Sequence, residues 1–269
     1  MKKNKIIVLK VFLFSVFKPL ERIFAYNRMR RNKWLIKQAN NISNGSKVLD
    51  IGAGGCPHRE KFSHCEYFTQ DFAQLSDSQI QNQEGYGKID FVSDILNIPV
   101  PDKSYDVILC TEVIEHIPDP VSAIKEFSRI LKPGGVLLIT APLQSGLHQE
   151  PYHFYGGYTK YWYQKFLTEN NFTELNIEPN GSLHTTYLAL GLTIIKSFLE
   201  VMVDNKNLFR KLIAFISLII FSPILLILNP IFCFLWEKIY QQTGFTAGYH
   251  VSAKKNHKTI HAEKSLNII

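Results

Sequence analysis

The chain reads Val48-Leu49-Asp50-Ile51-Gly52-Ala53-Gly54-Gly55 at the point that decides its fold. The first half of this stretch is a short, mostly apolar run closed by glycines, which predicts a buried strand that enters a tight turn. Glycine turns of this kind also bind dinucleotides, but Pro57 occupies the position where that pattern has its third glycine. The sequence therefore argues against an NAD or FAD site.

The sequence after this turn alternates between strands and helices. An apolar strand is predicted at 105–110, and the helical spacing of Val121, Ile124 and Phe127 predicts a helix over 120–131. Further strands are predicted at 66–71, 89–94, 135–140, 172–177 and 247–253, with a helix at 159–169. This alternation predicts an α/β fold with a doubly wound, mostly parallel sheet that is covered on both faces.

Sheets of this kind bind ligands at the carboxyl ends of their strands. Asp50, Asp71, Asp94 and Cys110 all lie at the predicted strand ends. We therefore expect the functional site at this edge of the sheet.

Five segments carry a resemblance to a known family. They are residues 48–55, 94–99, 102–108, 112–120 and 131–135. Together, and in this order, they resemble the class I, Rossmann-like S-adenosylmethionine-dependent methyltransferases, of the methyltransferase type 11 kind. The resemblance covers residues 34–178 and the last strand. It implies a seven-stranded sheet and S-adenosylmethionine as the cofactor.

The resemblance also assigns roles on the side of the methyl donor. The turn Gly52, Ala53 and Gly54 would pass under the methionine part of the cofactor, and Asp50 would help to fix that turn. Asp71 would accept hydrogen bonds from the ribose hydroxyls, since a carboxylate with two acceptor oxygens suits a vicinal diol. A helix-capping aspartate at the surface remains the alternative for Asp71.

The adenine side of the cofactor would lie against the next strand ends. Asp94 would accept the adenine amino group, with the Ile95 backbone beside the ring, and Cys110 would lie beside the methionine portion. The alternatives are a cap or turn role for Asp94 and a packing role for Cys110.

Histidines after the fifth predicted strand are the candidates for catalysis. His148 and His153 lie in the loop where relatives bind the acceptor, and an oxygen acceptor benefits from a base with a pKa near neutrality. Glu112, Glu115 and His116 can share one helical face and offer a second candidate base. The alternative for these three is a structural or exposed face of a common family motif.

An insertion of about sixty-five residues, from Gly181 to Phe245, precedes the last strand. No charged residue occurs from Leu212 to Trp236, which is long enough to span a bilayer, although Pro223 and Asn229-Pro230 are predicted to break the run. The strands on either side belong to one sheet, so the chain must return to its starting side. The sequence favours an interfacial or re-entrant helical hairpin over two spans or a soluble lid or dimer interface.

The charge of +7 is concentrated in the N-terminal segment and the tail. Basic residues beside apolar stretches suit an anionic membrane surface, and they accompany no known nucleic-acid module, so no nucleic-acid partner is predicted. The apolar run from Ile6 to Phe17 imitates a signal peptide, but Lys10 interrupts it and no small-residue cleavage site follows. An amphipathic helix is the better interpretation.

Four scattered cysteines form no disulfide framework, which favours a reducing compartment. The segment from Cys56 to Cys65 also contains His58 and His64, but its spacing matches no zinc pattern, so no metal site is predicted. The sequence thus divides into a basic amphipathic segment (1–33), a methyltransferase core (34–180), a hydrophobic helical insertion that associates with a membrane (181–244), the last core strand (245–255) and a polar tail (256–269).

These patterns predict an enzyme at the cytoplasmic face of a membrane. It would transfer a methyl group from S-adenosylmethionine to a hydroxyl of a membrane-associated acceptor, such as a lipid-linked sugar or a polyprenyl-type lipid. The alternative is a membrane-bound binding or scaffold protein that keeps the methyltransferase fold without turnover.

Overall fold

The structure is a computed structural model that describes residues 26–76, 79–80, 85–204, 207–240 and 244–257. It divides into two compact units. The helical unit comprises Met1–Asn32 and Pro179–Ala247, and the sheet unit comprises Lys33–Glu178 and Gly248–Ile269. The predicted amphipathic helix at 6–17 and residues 258–269 of the predicted tail lie outside the described residues.

A seven-stranded sheet forms the centre of the sheet unit. Its strands are β1 (Lys47–Ile51), β2 (Glu66–Asp71), β3 (Phe91–Val92), β4 (Tyr105–Thr111), β5 (Leu131–Pro142), β6 (Phe172–Pro179) and β7 (Gly248–Lys255). They are ordered β3-β2-β1-β4-β5-β7-β6. Four pairs (β1–β2, β1–β4, β2–β3 and β4–β5) are parallel, whereas β7 is antiparallel to β5. The predicted α/β fold with a mostly parallel seven-stranded sheet is confirmed.

Three helices flank these strands in the sequence: α1 (Tyr26–Asn40), α2 (Pro120–Ile130) and α3 (Lys160–Glu169). Two of them begin at residues suited to a helix start. The Asp119 side chain accepts a hydrogen bond from Ser122 N–H ahead of Pro120, and the Thr159 side chain caps α3 by accepting one from Trp162 N–H. These bonds satisfy backbone donors that have no partner inside the helix.

The two faces of the sheet bury different sets of side chains, because successive residues of a strand point to opposite faces. One core cluster joins Leu49 and Ile108 to Phe127 of α2 and Tyr163 of α3. The other cluster joins alternate strand residues to α1, and its members include Trp34, Leu35, Val48, Val107 and Leu138. Both faces are therefore covered, as the apolar strands predict.

The third and fifth strands differ most from their predicted bounds. Only Phe91–Val92 of the predicted strand 89–94 pairs with β2, so Asp94 lies two residues beyond the end of β3. Strand β5 begins at Leu131, four residues before the predicted start, because Leu131 pairs with Tyr105 and the ladder resumes at Val136 after an irregularity. An irregular step of this kind leaves no trace in the alternation of apolar residues.

The helical unit contains α4 (Leu183–Asp204), α5 (Leu208–Pro223) and α6 (Asn229–Ile239), with a π-helical turn at Ile224–Leu228 between the last two. The sequence predicted breaks at Pro223 and Asn229-Pro230, but the chain stays helical through both. Proline lacks the N–H that an α-helix needs in its interior, and a local change to π-helical bonding accommodates this loss. Pro230 lies in the first turn of α6, where its missing N–H costs nothing.

Contacts along the helical unit show that α4 runs antiparallel to α5 and α6. Ser182 donates a hydrogen bond to Glu237, Leu188 packs with Cys233, and the rings of Phe198 and Phe221 lie 6.1 Å apart. Residues later in α4 therefore contact residues earlier in the stretch formed by α5 and α6. The insertion is therefore a helical hairpin.

The hairpin leaves most of its apolar side chains exposed. Leu183–Val203 and Leu208–Ile239 are each long and apolar enough to cross a membrane by length and composition. Ile219 and Ile220 of α5 are 57% and 54% exposed. An exposed apolar surface of this extent is unusual on a soluble protein and is typical of an interaction surface.

Candidate active site

The glycine turn follows β1 at the carboxyl edge of the sheet. Gly52 and Gly54 have φ values of 66° and 49°, a region that glycine adopts without strain. A Cβ at Gly52 would lie 2.4 Å from the Val113 side chain, whereas a Cβ at Gly54 would meet nothing within 4 Å. The turn thus packs tightly at its first glycine and is open at its second.

Asp71 ends β2 beside this turn and is 4% exposed. Its two carboxylate oxygens accept hydrogen bonds from the backbone N–H groups of Gly54 and Ala73, each at 2.9 Å. Each carboxylate oxygen can accept a second hydrogen bond, one of them from the nearby Tyr86 hydroxyl, which leaves acceptor capacity for a ribose hydroxyl. The structure therefore brings together the predicted methionine-side turn and the predicted ribose-binding carboxylate.

Asp50 is buried inside the sheet at the base of the turn. Burial raises the pKa of its carboxyl from 3.8 to about 7, the hydrogen bond from the Tyr67 hydroxyl opposes this rise, and the nearby Asp71 charge adds to it. Asp50 thus joins the end of β1 to β2.

Asp94 and Ile95 lie beyond the short strand β3. Ser93 N–H donates to the Asp71 carbonyl oxygen at 3.1 Å, which holds this segment next to the end of β2. Asp94 is exposed, and its Oδ1 accepts a hydrogen bond from Leu96 N–H at 2.9 Å. That bond is typical of a turn aspartate, and the carboxylate has a second oxygen for a ligand. Ile95 is 7% exposed.

Two residues that the sequence analysis did not single out anchor this segment to α2. Glu126 accepts a hydrogen bond from Ile98 N–H at 2.8 Å, and Arg129 donates to the carbonyl oxygens of Ile98 and Val100 at 3.0 and 2.9 Å. Arg129 also pairs with Asp102 at 2.7 Å. The spacing of Glu126 and Arg129 on one helical face was their only sequence signal.

Cys110 is fully buried at the end of β4, and burial raises the pKa of its thiol well above the ordinary value. Its side chain belongs to the core cluster formed with Leu49 and Ile51. The adjacent Thr111 hydroxyl lies 3.0 Å from Nε2 of His58, which is also buried. His58 therefore packs against the end of β4.

A cluster of three histidines lies in the segments that follow β4 and β5. The ring centroids of His116 and His148 are 4.7 Å apart, those of His148 and His153 are 4.4 Å apart, and those of His116 and His153 are 5.5 Å apart. The pKa of His116 is lowered to about 4, mainly by burial and in smaller part by His148 and His153, although a hydrogen bond to the Tyr152 carbonyl opposes this change. The two predicted catalytic histidines thus meet each other and His116.

The loop that carries His148 and His153 is fastened to the short 3-10 turn Ile114–His116. Phe154 and Tyr155 donate backbone N–H groups to the Glu115 carbonyl oxygen at 3.0 and 3.1 Å. The Tyr158 hydroxyl donates to the Ile114 carbonyl at 2.8 Å. These bonds place the imidazoles of two separate chain segments in one cluster.

The same loop also contacts the segment that follows Asp71. The rings of Phe72 and Tyr152 pack edge to face at 5.2 Å. Gln79 Nε2 donates to the Glu150 carbonyl at 2.8 Å, and Gln149 Nε2 donates to the Gln79 carbonyl at 2.9 Å. The loop of the histidine cluster is therefore in direct contact with the segment that follows Asp71.

Comparison with known proteins identifies the domain that holds the glycine turn, Asp71 and Asp94. Residues 49–139 match a family model described as a methyltransferase domain. A ubiquinone biosynthesis O-methyltransferase of Aliivibrio fischeri (strain ATCC 700601 / ES114) is 32% identical over 125 residues, which are 44% of this chain and 51% of the relative. One of Marinobacter nauticus is 31% identical over 134 residues, which are 47% and 54%. The chain thus spans about half the length of the curated relatives it matches.

Among solved structures, the crystal structure of the cyclase SpnF aligns with a TM-score of 0.52 and 14% identity over 85% of this chain and 81% of that one. This likeness concerns the fold alone. The site itself fits S-adenosylmethionine: it has a buried carboxylate with two oxygens for a diol, a glycine turn open at Gly54 and an apolar residue, Ile95, on the adenine side. Residues 49–139 therefore lie in an S-adenosylmethionine-dependent methyltransferase domain.

Proposed function

We propose that this chain methylates a hydroxyl group of a membrane-associated acceptor, such as a lipid-linked sugar or a polyprenyl-type lipid, at the cytoplasmic face of a membrane. The observation that carries the proposal is the exposed apolar hairpin in the same chain as a methyltransferase domain. A soluble acceptor would not require such a surface. The O-methyltransferase names of the relatives support an oxygen acceptor, and ubiquinone in those names is itself a lipid-like molecule.

The chemistry places modest demands on the protein. S-adenosylmethionine supplies a methyl group that is already activated on a sulfonium. The remaining tasks are to align the acceptor oxygen and to remove its proton. His148 and His153 are the proposed bases. His153 Nε2 lies 3.1 Å from the Ser145 hydroxyl, which can orient its ring.

The hairpin would hold the domain where a lipid acceptor is found. We favour an interfacial position, because Lys196 and Glu200 are exposed on α4 and suit the headgroup region. The uncharged run Leu212–Trp236 would enter the apolar layer, and Trp236 with Tyr240 would lie at the headgroup level. The antiparallel course of the helices lets the chain return to its starting side without crossing the bilayer.

The test is transfer of labelled methyl from S-adenosylmethionine into native membranes that contain the full chain, with lipid-extractable and aqueous products counted separately. We expect label in the lipid fraction, and we expect Asp71→Ala to abolish it because the ribose loses its acceptor. Glu66→Ala is the matched control, since Glu66 is exposed at the opposite end of the same strand. Its label should equal that of the wild type.

Other outcomes separate the parts of the proposal. Label only in the aqueous fraction keeps the enzyme and rejects the lipid acceptor. Cofactor binding without any transfer would favour the second candidate, a membrane-bound scaffold protein.

A further inference from the structure

The hydrogen bonds of the histidine cluster determine which ring nitrogens carry protons. His116 Nδ1 lies 2.5 Å from the Tyr152 carbonyl oxygen, and His148 Nδ1 lies 2.9 Å from the Gly146 carbonyl oxygen. A carbonyl only accepts, so both Nδ1 atoms must be the N–H donors. In the neutral ring, Nε2 then carries a lone pair on each of these two histidines.

This arrangement is the usual one for a metal-binding histidine. Such histidines donate their second ring N–H to a backbone carbonyl or a carboxylate, which fixes the tautomer and the orientation of the ring. Here two adjacent histidines do so, through carbonyls from different parts of one loop. Packing of the imidazole rings alone would not require Nδ1 to be the donor, and Nε2 the atom with the lone pair, in both His116 and His148.

A buried carboxylate completes the group. Glu115 is 1% exposed, and its Oε1 lies 3.8 Å from His116 Nε2. The candidate ligand atoms of Glu115, His116 and His148 all lie within 4.8 Å of one another. Tetrahedral zinc with bonds of roughly 2.0 Å places its ligand atoms about 3.3 Å apart, so movements of about 1 Å suffice.

We propose that Glu115, His116 and His148 bind one divalent transition-metal ion, with Zn²⁺ as the representative ion. Two imidazoles with one carboxylate form a ligand set that zinc enzymes use when a fourth position stays open for substrate. Imidazole ligands favour Zn²⁺ and its neighbours over Mg²⁺ or Ca²⁺. No spacing in the sequence predicted this site, because His148 joins Glu115 and His116 only through the folded loop.

A bound ion would add a Lewis acid next to the cofactor side of the same edge, where it can orient an acceptor oxygen. In that case His148 is a ligand and His153 alone remains as the base. Metal binding itself depends only on the three side chains. It can therefore be tested without methyl transfer and without the acceptor, and its outcome is independent of the proposed function.

The experiment is titration of the untagged full chain in detergent with Zn²⁺ by calorimetry, and with Co²⁺ by visible absorption. We expect one equivalent to bind, with the intense visible bands of four-coordinate Co²⁺. His148→Ala and Glu115→Gln should each weaken binding by at least about tenfold, since each removes a ligand. His64→Ala is the matched control, because His64 Nε2 lies against the Ile42 carbonyl outside the cluster, and it should bind like the wild type.

Circular dichroism and thermal unfolding of each variant separate lost binding from lost folding. His148 is only partly buried at a loop, so its variant is the one best placed to fold normally. The proposal is overturned if the wild type binds no metal at low micromolar concentration. It is equally overturned if folded His148→Ala and His64→Ala bind with the same affinity.

Discussion

The proposed donor side of the site, formed by the glycine turn, Asp71 and Asp94, and the proposed acceptor side, formed by the histidine cluster, are built in different ways. On the donor side, the glycine turn, Asp71 and Asp94 follow successive strands of a parallel sheet, and backbone hydrogen bonds hold the turn to the carboxylate. On the acceptor side, His116 and His148 come from a short turn and a long loop that meet only through their own contacts. The donor side depends on the hydrogen-bonded strands of the sheet. The acceptor side depends on how the loop that carries His148 packs against the turn that carries His116.

This difference has a chemical consequence. The donor side offers carboxylates and a backbone turn, which suit hydroxyl and amino groups of a cofactor. The acceptor side offers imidazoles, which suit proton transfer or a metal ion. Substitutions on the two sides should therefore affect different steps, and the following predictions are arranged by the size of the expected effect.

On the proposed acceptor side, the largest effect is expected at His153. His153→Ala should lower the rate of methyl transfer by roughly 10²- to 10⁴-fold, since that is the usual contribution of a general base. Affinity for S-adenosylmethionine should not change, because the predicted cofactor residues lie on the proposed donor side. Rates at saturating cofactor and calorimetric titration of cofactor measure the two quantities.

The control for this variant is His64→Ala, which changes a histidine outside the cluster. Full activity of His153→Ala would remove this histidine from the mechanism. A matching loss of cofactor affinity would instead show that the two sides are not separate.

A smaller effect is expected on stability from Asp50, on the donor side. Its pKa is about 7 in the folded chain, mainly because of burial, against 3.8 for the free side chain. Between these values the folded state keeps a proton that the unfolded state has released, so the contribution of Asp50 to stability is full below pH 4 and falls as the pH rises to 7. The loss amounts to a few kcal/mol at most, because a tenfold change in proton affinity corresponds to about 1.4 kcal/mol.

Asp50→Asn should remove this pH dependence, because the amide does not titrate and its oxygen can still accept the Tyr67 hydroxyl. The measurement is the difference in unfolding free energy between wild type and variant from pH 4 to 7, in denaturant. The variant should gain on the wild type as the pH rises. A difference that stays constant with pH would show that Asp50 titrates normally.

The same contrast between sheet and loop explains which features of the structure could be predicted from the sequence. The sheet, its order of elements and the meeting of Gly54 with Asp71 were predictable, because apolar runs closed by glycines and carboxylates recur in a regular pattern. The Glu126 and Arg129 network was not, since it joins side chains to a loop about thirty residues earlier. Long-range polar contacts of this kind leave no periodic signal.

The histidine cluster and the hairpin show two further limits. The sequence singled out His148 and His153, but their union with His116 depends on loop hydrogen bonds to Glu115 and Tyr152 that no spacing encodes. In the hairpin, Pro223 suggested a break, whereas the chain continues through a π-helical turn. A proline in a sequence predicts the loss of one hydrogen bond, and the surrounding packing decides whether the helix ends there.

The smallest effect is expected at Asp94, where two substitutions separate a ligand role from a turn role. Asp94 accepts Leu96 N–H through Oδ1 and has Oδ2 as a second oxygen for the adenine amino group. Asp94→Asn keeps the turn, because the amide oxygen replaces Oδ1, but it puts an NH₂ donor where an acceptor is needed. Both Asp94→Asn and Asp94→Ala should therefore weaken cofactor binding by on the order of 1 kcal/mol, a modest value because the carboxylate is exposed.

Calorimetric titration of the cofactor measures this effect, with Glu66→Gln as the control, an exposed carboxylate at the opposite end of β2. Wild-type affinity in Asp94→Asn together with weaker binding in Asp94→Ala would assign Asp94 to the turn alone. In that case the donor side would recognise adenine through its backbone and the apolar Ile95. The two sides of the site would then differ further. The donor side would bind its cofactor through Asp71 and backbone groups, whereas the acceptor side would act only through its side chains.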